Sequence, residues 1–286
     1  MKYFQQSPSL ILQGNENEKK NRFATSMLQL IKALSTSSND PQKQFVMLSA
    51  SVYFKRVIKT NWEDEENNRI PNDQRVAIKT HLVDFMCAVP NKIQMQFSEA
   101  IGIISRTDFP NQWKDLLPKL VSRINTNDLV TTNAVLKTAN AIFKRFVNVS
   151  KDDENLYPLK ISLEQFQEPM LKLFQTLCQM LMKLNPNDRS LTKTVEQLYT
   201  GIILLVKIFY SLNWLDLPEF FEDHMKEYFG MFHNFLNYNH PIIEADADEF
   251  APSLGDKLKK NIVKCLNLYV FFFFLCFFEG QDSLTH

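Results

Sequence analysis

Apolar residues recur at intervals of three and four along nearly the whole chain, and that period leaves little besides helices for it to form. One stripe is Ile78, Leu82, Phe85, Met86 and Val89, ended by Pro90; the next is Ile93, Phe97, Ala100, Ile101 and Ile104. Trp113, Leu116, Leu117, Leu120, Val121 and Ile124 follow, then Val135, Ala139, Ile142, Phe143 and Phe146. Met170 to Leu184, Leu198 to Leu212, Phe221 to Phe235 and Leu254 to Tyr269 continue the series. Only six glycines interrupt the 286 residues, and no tight hairpin turn joins alternating segments, which disfavours a β-rich fold.

Turn and cap sequences fall between the stripes: Asn39-Asp40-Pro41, Pro71-Asn72-Asp73, Thr126-Asn127-Asp128, Asn185-Pro186-Asn187-Asp188 and Asp216-Leu217-Pro218. They divide the chain into about ten helices joined by short linkers. Taken in pairs, the helices start near residues 24, 72, 110, 158 and 216. The first two intervals approach the ~40–47-residue period of HEAT repeats, and the later ones are longer. Pro110 suits a first helical turn. Pro118 lies inside a helical stripe and should bend that helix or break it into two short ones. A helix pair cannot bury its apolar face alone, so a stacked array of hairpins fits the pattern. An ordinary all-α bundle would show the same periodicity.

The charges balance, 32 basic against 32 acidic residues, which argues against a nucleic-acid binder working by bulk electrostatics and leaves room for local acidic and basic patches. Cys87, Cys178, Cys265 and Cys276 are widely spaced, which fits buried thiols in a reducing compartment. Residues 1–12 lack the continuous apolar core of a signal peptide. No two glycines form a phosphate cradle, no Gly-x-Ser-x-Gly elbow occurs, and the histidines have no zinc-ligand spacing. Glu222, Asp223 and His224 are adjacent, but neighbours on a helix diverge and cannot converge on one ion. The expectation is therefore no enzyme, no metal and no cofactor.

A binding surface is the better reading. On the helix from Gln42 to Thr60, Met47, Ala50, Phe54 and Val57 form one face, and Ser51, Lys55, Lys59 and Trp62 another. A basic stripe ending in tryptophan can dock an acidic partner, since charge steers approach and Trp dominates hot spots. Its plainer alternative is a solvated lysine face with Trp62 packed on the next repeat. The acidic runs Glu63-Asp64-Glu65-Glu66 and Glu244 to Glu249 read as solvated loops, with a basic cargo segment as the alternative.

Three blocks carry a family resemblance in the family's own order. Ala50-Ser51-Val52-Tyr53-Phe54-Lys55-Arg56-Val57-Ile58-Lys59-Thr60-Asn61-Trp62 resembles the end of the importin-β N-terminal domain. Ala100 to Leu117, with Ser105-Arg106-Thr107-Asp108-Phe109-Pro110, comes next. Tyr210-Ser211-Leu212-Asn213-Trp214-Leu215-Asp216-Leu217-Pro218-Glu219-Phe220-Phe221-Glu222-Asp223-His224-Met225 resembles a signature of the CAS-type exportins. The resemblance covers roughly residues 25 to 269. It implies an all-α, right-handed α-solenoid of about five HEAT-like hairpins. It implies an importin-β N-terminal-like region over residues 1–62, further N-terminal repeats over 63–150 and central exportin-like repeats over 151–269. It also implies a transport receptor that shuttles between nucleus and cytoplasm through pore proteins, binds Ran-GTP and exports importin-α without inserting in membrane. Lys55, Lys59, Asn61 and Trp62 are the candidate Ran contacts. A HEAT scaffold unrelated to Ran is the alternative.

Two departures matter. Residues 270–286 form an atypical tail with the run Val270-Phe271-Phe272-Phe273-Phe274-Leu275-Cys276-Phe277-Phe278. The 11 apolar residues from Leu268 to Phe278 fall short of the ~20 of a membrane span. They suit either a helix continuing into a core or a translated intron start with its pyrimidine tract, and the second is the expectation. Residues 1–24 lack a clear first helix. Family members are much longer, so the chain alone is expected to bind Ran weakly and to export no cargo.

Overall fold

The structure, a computed structural model, describes residues 23–35, 40–63, 70–147, 150, 154–245 and 251–282, without the side chains of residues 23, 245 and 271–282. It divides into two compact units, Met1–Asp108 and Phe109–His286. Among the described residues every regular element is a helix.

The first unit holds four helices: α1 (Phe23–Ser35), α2 (Pro41–Asn61), α3 (Asn72–Ala88) and α4 (Asn91–Asp108). Asp40 starts α2 by accepting the Gln42 N–H at 2.9 Å, with Pro41 at the first helical position, where its missing N–H costs nothing. Pro90 ends α3, and its carbonyl accepts the Ile93 and Gln94 N–H groups that open α4. Helix α1 packs on α2 and α3 on α4; α2 lies along α4, and α1 touches α3. The two hairpins therefore stack with first helices together and second helices together, the arrangement of repeat proteins. Phe54 on α2 and Phe97 on α4 meet edge to face at 5.7 Å in the shared core.

The second unit repeats the scheme. It comprises α5 (Leu116–Ser122), α6 (Leu129–Phe143) with a 3-10 turn at Lys144–Phe146, α7 (Leu156–Lys183), α8 (Thr192–Leu212), α9 (Glu219–Asp223), α10 (Met225–Asn237), α11 (Pro241–Ala245) and α12 (Leu254–Asp282). Helix α5 packs on α6 and α7; α8 packs on α6, α7 and α12; α12 also packs on α10. Phe174 of α7 reaches Tyr228 and Phe232 of α10. The first helices are thus α5, α7 and α10, and the second helices α6, α8 and α12.

Helix α8 is the core of this unit. The stretch Arg189–Leu212 contains an 18-residue window of mean hydropathy 1.4 and could cross a membrane by length and composition, yet 72% of that window is buried. A helix apolar all round must be enclosed, and here protein does the enclosing. Phe209 centres an aromatic cluster with Phe221, Tyr228, Phe232 and Tyr269 at ring separations of 4.6–5.9 Å. Gly201 lets α6 and α7 approach α8: a Cβ there would stand 2.8 Å from Asn133 Oδ1 and 2.9 Å from Leu177 Cδ1. Asn133 Nδ2 donates to the Gln197 carbonyl at 2.9 Å across the same contact.

Two prolines behave differently from expectation. Pro110 lies in the turn before α5, not in a first helical turn, and Pro118 is the third residue of α5. The first-turn N–H groups of a helix have no internal partner, so Pro118 neither kinks nor breaks it. The stripe from Trp113 to Ile124 is a turn plus a short helix rather than one long helix. Pro169, by contrast, sits inside the 28-residue α7, which runs through it. On α12 the backbone stays helical through the phenylalanine run. The side chains from Phe271 onward lie outside the described residues, as do the tail end and the acidic residues 64–66 and 246–249.

His240 is buried, and its Nδ1 accepts the Ile242 N–H at 3.3 Å at the start of α11. Burial lowers its pKa, so the fold holds the neutral ring; Tyr199 and Tyr238 face it. The unfolded chain then binds the proton more readily, so stability at neutral pH falls as pH drops through the ordinary histidine range. His240→Asn keeps a side-chain acceptor for the cap and should flatten the loss between about pH 7 and 5, measured by urea unfolding at each pH. Gly201→Ala gains ~1 kcal/mol of helix propensity but must displace Asn133 and Leu177. We expect a net loss of about 1–2 kcal/mol, seen as a lower urea midpoint at unchanged slope.

Candidate partner-binding surface

The basic stripe of α2 is resolved into parts with different roles. Buried positions on α2 are Met47, Ala50, Ser51, Phe54 and Ile58, so the inward face is rotated from the sequence-based one: Ser51 is inside and Val57 half-exposed. Lys59 is exposed and forms no ion pair among the described residues. Lys55 is partly exposed, and its Nζ pairs with Glu99 Oε2 of α4 at 2.6 Å. Such a pair contributes under about 1 kcal/mol. Asn61 is half-buried and donates through Nδ2 to the Val57 carbonyl at 2.8 Å, closing the last turn of α2.

Trp62 is 1% exposed and offers no surface in this conformation; it is packed. Its Nε1–H donates to Asp108 Oδ1 at 2.9 Å. Lys79 Nζ of α3 donates to Asp108 Oδ2 at 2.6 Å, and the neighbouring Thr107 hydroxyl donates to Oδ1 at 2.9 Å. The Arg75 guanidinium lies 4.9 Å from the centre of the indole, and its Nε donates to the Ile70 carbonyl at 3.0 Å. One buried carboxylate, 2% exposed, therefore gathers groups from α2, α3 and α4. Asp108 is also the last residue of α4, where the helix dipole disfavours a negative charge. Sequence reasoning missed Asp108, Lys79 and Arg75. The hint was a carboxylate in Arg106-Thr107-Asp108-Phe109-Pro110, but its indole partner is 46 residues away.

The other sequence candidates are not brought to a common site. In the second unit Phe221 is fully buried, while Asp216, Glu219, Glu222 and Asp223 are exposed. His224 places Nδ1 2.8 Å from the Phe220 carbonyl and stacks on the Phe220 ring at 4.3 Å. Among the described residues no three His, Cys, Asp or Glu side chains are grouped to hold a metal. Cys178 and Cys265 are buried free thiols, and burial pushes both up to about 12, far from a reactive thiolate at neutral pH.

The Asp108 cluster makes a measurable difference to stability. Asp108→Ala removes the carboxylate from the Lys79 ammonium, 12% exposed, and from the buried Trp62 N–H, and should cost about 3 kcal/mol. Lys55→Ala should cost under about 1 kcal/mol. Denaturant unfolding of the two variants side by side checks the ranking.

Comparison with known proteins adds an independent line. Residues 142–273 match the Cse1 family and residues 15–88 the importin-beta N-terminal domain. Exportin-2 of Homo sapiens is 39% identical over 230 residues, 80% of this chain and 23% of that protein. The importin-alpha re-exporter of Schizosaccharomyces pombe is 38% identical over 242 residues, 84% of this chain and 24% of that protein. The solved structure of the exportin Cse1 in its cargo-free, cytoplasmic state superposes with a TM-score of 0.76 at 34% identity, covering 88% of this chain and 26% of that one. The chain thus spans about a quarter of the length of these relatives. Its stacked hairpins are those of an α-solenoid repeat protein.

Proposed function

We infer the function from family and surface together: the chain belongs to the Cse1-type exportins, and it acts as the N-terminal part of a nuclear export receptor. Its partners in this reading are Ran in the GTP form, importin-α as cargo, and pore proteins during passage between nucleus and cytoplasm. The work is binding, with no covalent step. Two ligands that favour one conformation of a helical stack share a coupling free energy, so each tightens the other's binding.

The observation that carries this reading is the match of residues 15–88 to the importin-beta N-terminal domain, within which α2 presents an exposed Lys59, without an ion pair among the described residues, beside the weakly held Lys55. A cation without a local partner can meet a carboxylate of an approaching protein without first breaking a pair. Asn61 and Trp62 serve the same surface from behind, by fixing the turn that carries Lys59.

Capture on the immobilised 286-residue chain tests the reading. Ran loaded with a non-hydrolysable GTP analogue should be retained about tenfold better than Ran-GDP, and Lys59→Ala should weaken retention of the GTP form. Equal capture of both forms would remove the transport reading and favour a scaffold indifferent to Ran.

A further inference from the structure

We propose that Asp108 is the positioning residue of the partner-binding surface: it sets the last two turns of α2, and with them the directions of Lys55, Lys59 and Asn61. The inference rests on the reading of those three residues as GTPase contacts.

Helices α2 and α4 are joined side by side by two polar links. Lys55 meets Glu99 at 2.6 Å, and Trp62 meets Asp108 at 2.9 Å, so both links run in the same direction along the two helices. Lys59 and Asn61 lie between them. The turn that carries Lys59 begins at Ile58, which is fully buried, and ends at Trp62, whose backbone N–H returns to the Ile58 carbonyl at 2.9 Å. The turn can shift only if the indole moves. The indole is held by Asp108 at its N–H and faced by Arg75 on its ring.

The position of the carboxylate is in turn set from α3. Lys79 bonds the oxygen that Trp62 does not, and Thr107 donates to the oxygen that Trp62 uses. Asp108 thus accepts three donors with both oxygens engaged. This is a costly way to fill a core: a charge is desolvated and placed at the disfavoured end of a helix. A hydrophobic pair of the same volume would hold the helices together without fixing the indole's rotation. What the ionic arrangement adds is direction, since hydrogen bonds to a fixed carboxylate define the angle of the ring. A shift of about 1 Å in a binding group is enough to change an interaction severely.

Two conservative variants separate positioning from simple stability. Asp108→Asn keeps an acceptor but removes the charge that fixes Lys79. Trp62→Phe keeps an aromatic ring, with some loss of volume, but removes the N–H. Each should retain the helical far-ultraviolet spectrum of the full chain, lower its affinity for analogue-loaded Ran about five- to tenfold, and blunt the effect of Lys59→Ala in the double variant. Asp108→Asn with Lys79→Gln, a neutral pair that can still hydrogen-bond, should recover most of the affinity. A structural role alone would lower the melting temperature and leave the dissociation constant within twofold, which overturns the proposal. If Lys55→Ala and Lys59→Ala weaken binding while Asp108→Asn and Trp62→Phe do not, the positioning inference fails and the surface reading stands. If the two lysine variants bind as the parent does, the surface reading itself fails and this inference with it.

Discussion

A single helical hairpin in this chain carries more apolar surface than it can cover by folding on itself, and the rest of the structure follows from how the neighbours cover it. In the first unit α2 needs α4 as well as α1; in the second α8 needs α6, α7 and α12. Stability is then spread over nearest-neighbour contacts rather than held in one central core. Helix α8 shows the limiting case. Its composition matches a membrane span, and its enclosure by neighbouring helices makes it a core element instead. Enclosure on that scale requires close approach, and Gly201 supplies it where any side chain would strike Asn133 and Leu177.

Polar groups inside such a stack settle what apolar contacts leave free. Leu, Ile and Phe surfaces allow one helix to slide or rotate slightly along another at small cost, because dispersion contacts are individually weak. A buried polar group held by directed hydrogen bonds does not allow this. Asn133 holding the Gln197 carbonyl fixes α6 against α8, and Asp108 holding Trp62 and Lys79 fixes α2, α3 and α4. Both lie at contacts between hairpins or between layers, where the apolar pattern alone would permit several registers.

Much of the fold was legible because helical periodicity is a local signal. The stripes of Ile93 to Ile104 and Leu198 to Leu212 fall on α4 and α8, and Pro90 ends α3 where its chemistry says it must. The errors arise where a local pattern is compatible with two placements. A stripe does not mark its own first turn, so Pro118 read as a bend or a break although it sits where a helix has no bond to lose. Val57 and Ile58 are both apolar and adjacent, and only packing chose Ile58. Trp62 read as a docking side chain because it follows Lys55 and Lys59 at helical spacing; its acceptor lies on another helix, beyond any local window. Gly201 gave no signal at all, since a glycine inside a helix reads as a penalty until the neighbouring backbones are known.

The burial of Trp62 changes how the basic stripe should be understood. Two kinds of residue share α2: those whose geometry is fixed by the core and those left to solvent. Trp62 and Ile58 belong to the first kind, Lys59 to the second, and Lys55 stands between, tied to Glu99 by a pair weak enough to exchange. On the proposed reading an anionic partner would gain most from Lys59, since that ammonium has no ion pair to give up among the described residues, although ordering the side chain costs up to ~2 kcal/mol. Lys55 would contribute less to affinity and more to selectivity, because a partner carboxylate must compete with Glu99 for it. Placing the competing carboxylate on α4 also makes the exchange sensitive to the register of the two helices, which is the quantity that Asp108 holds constant.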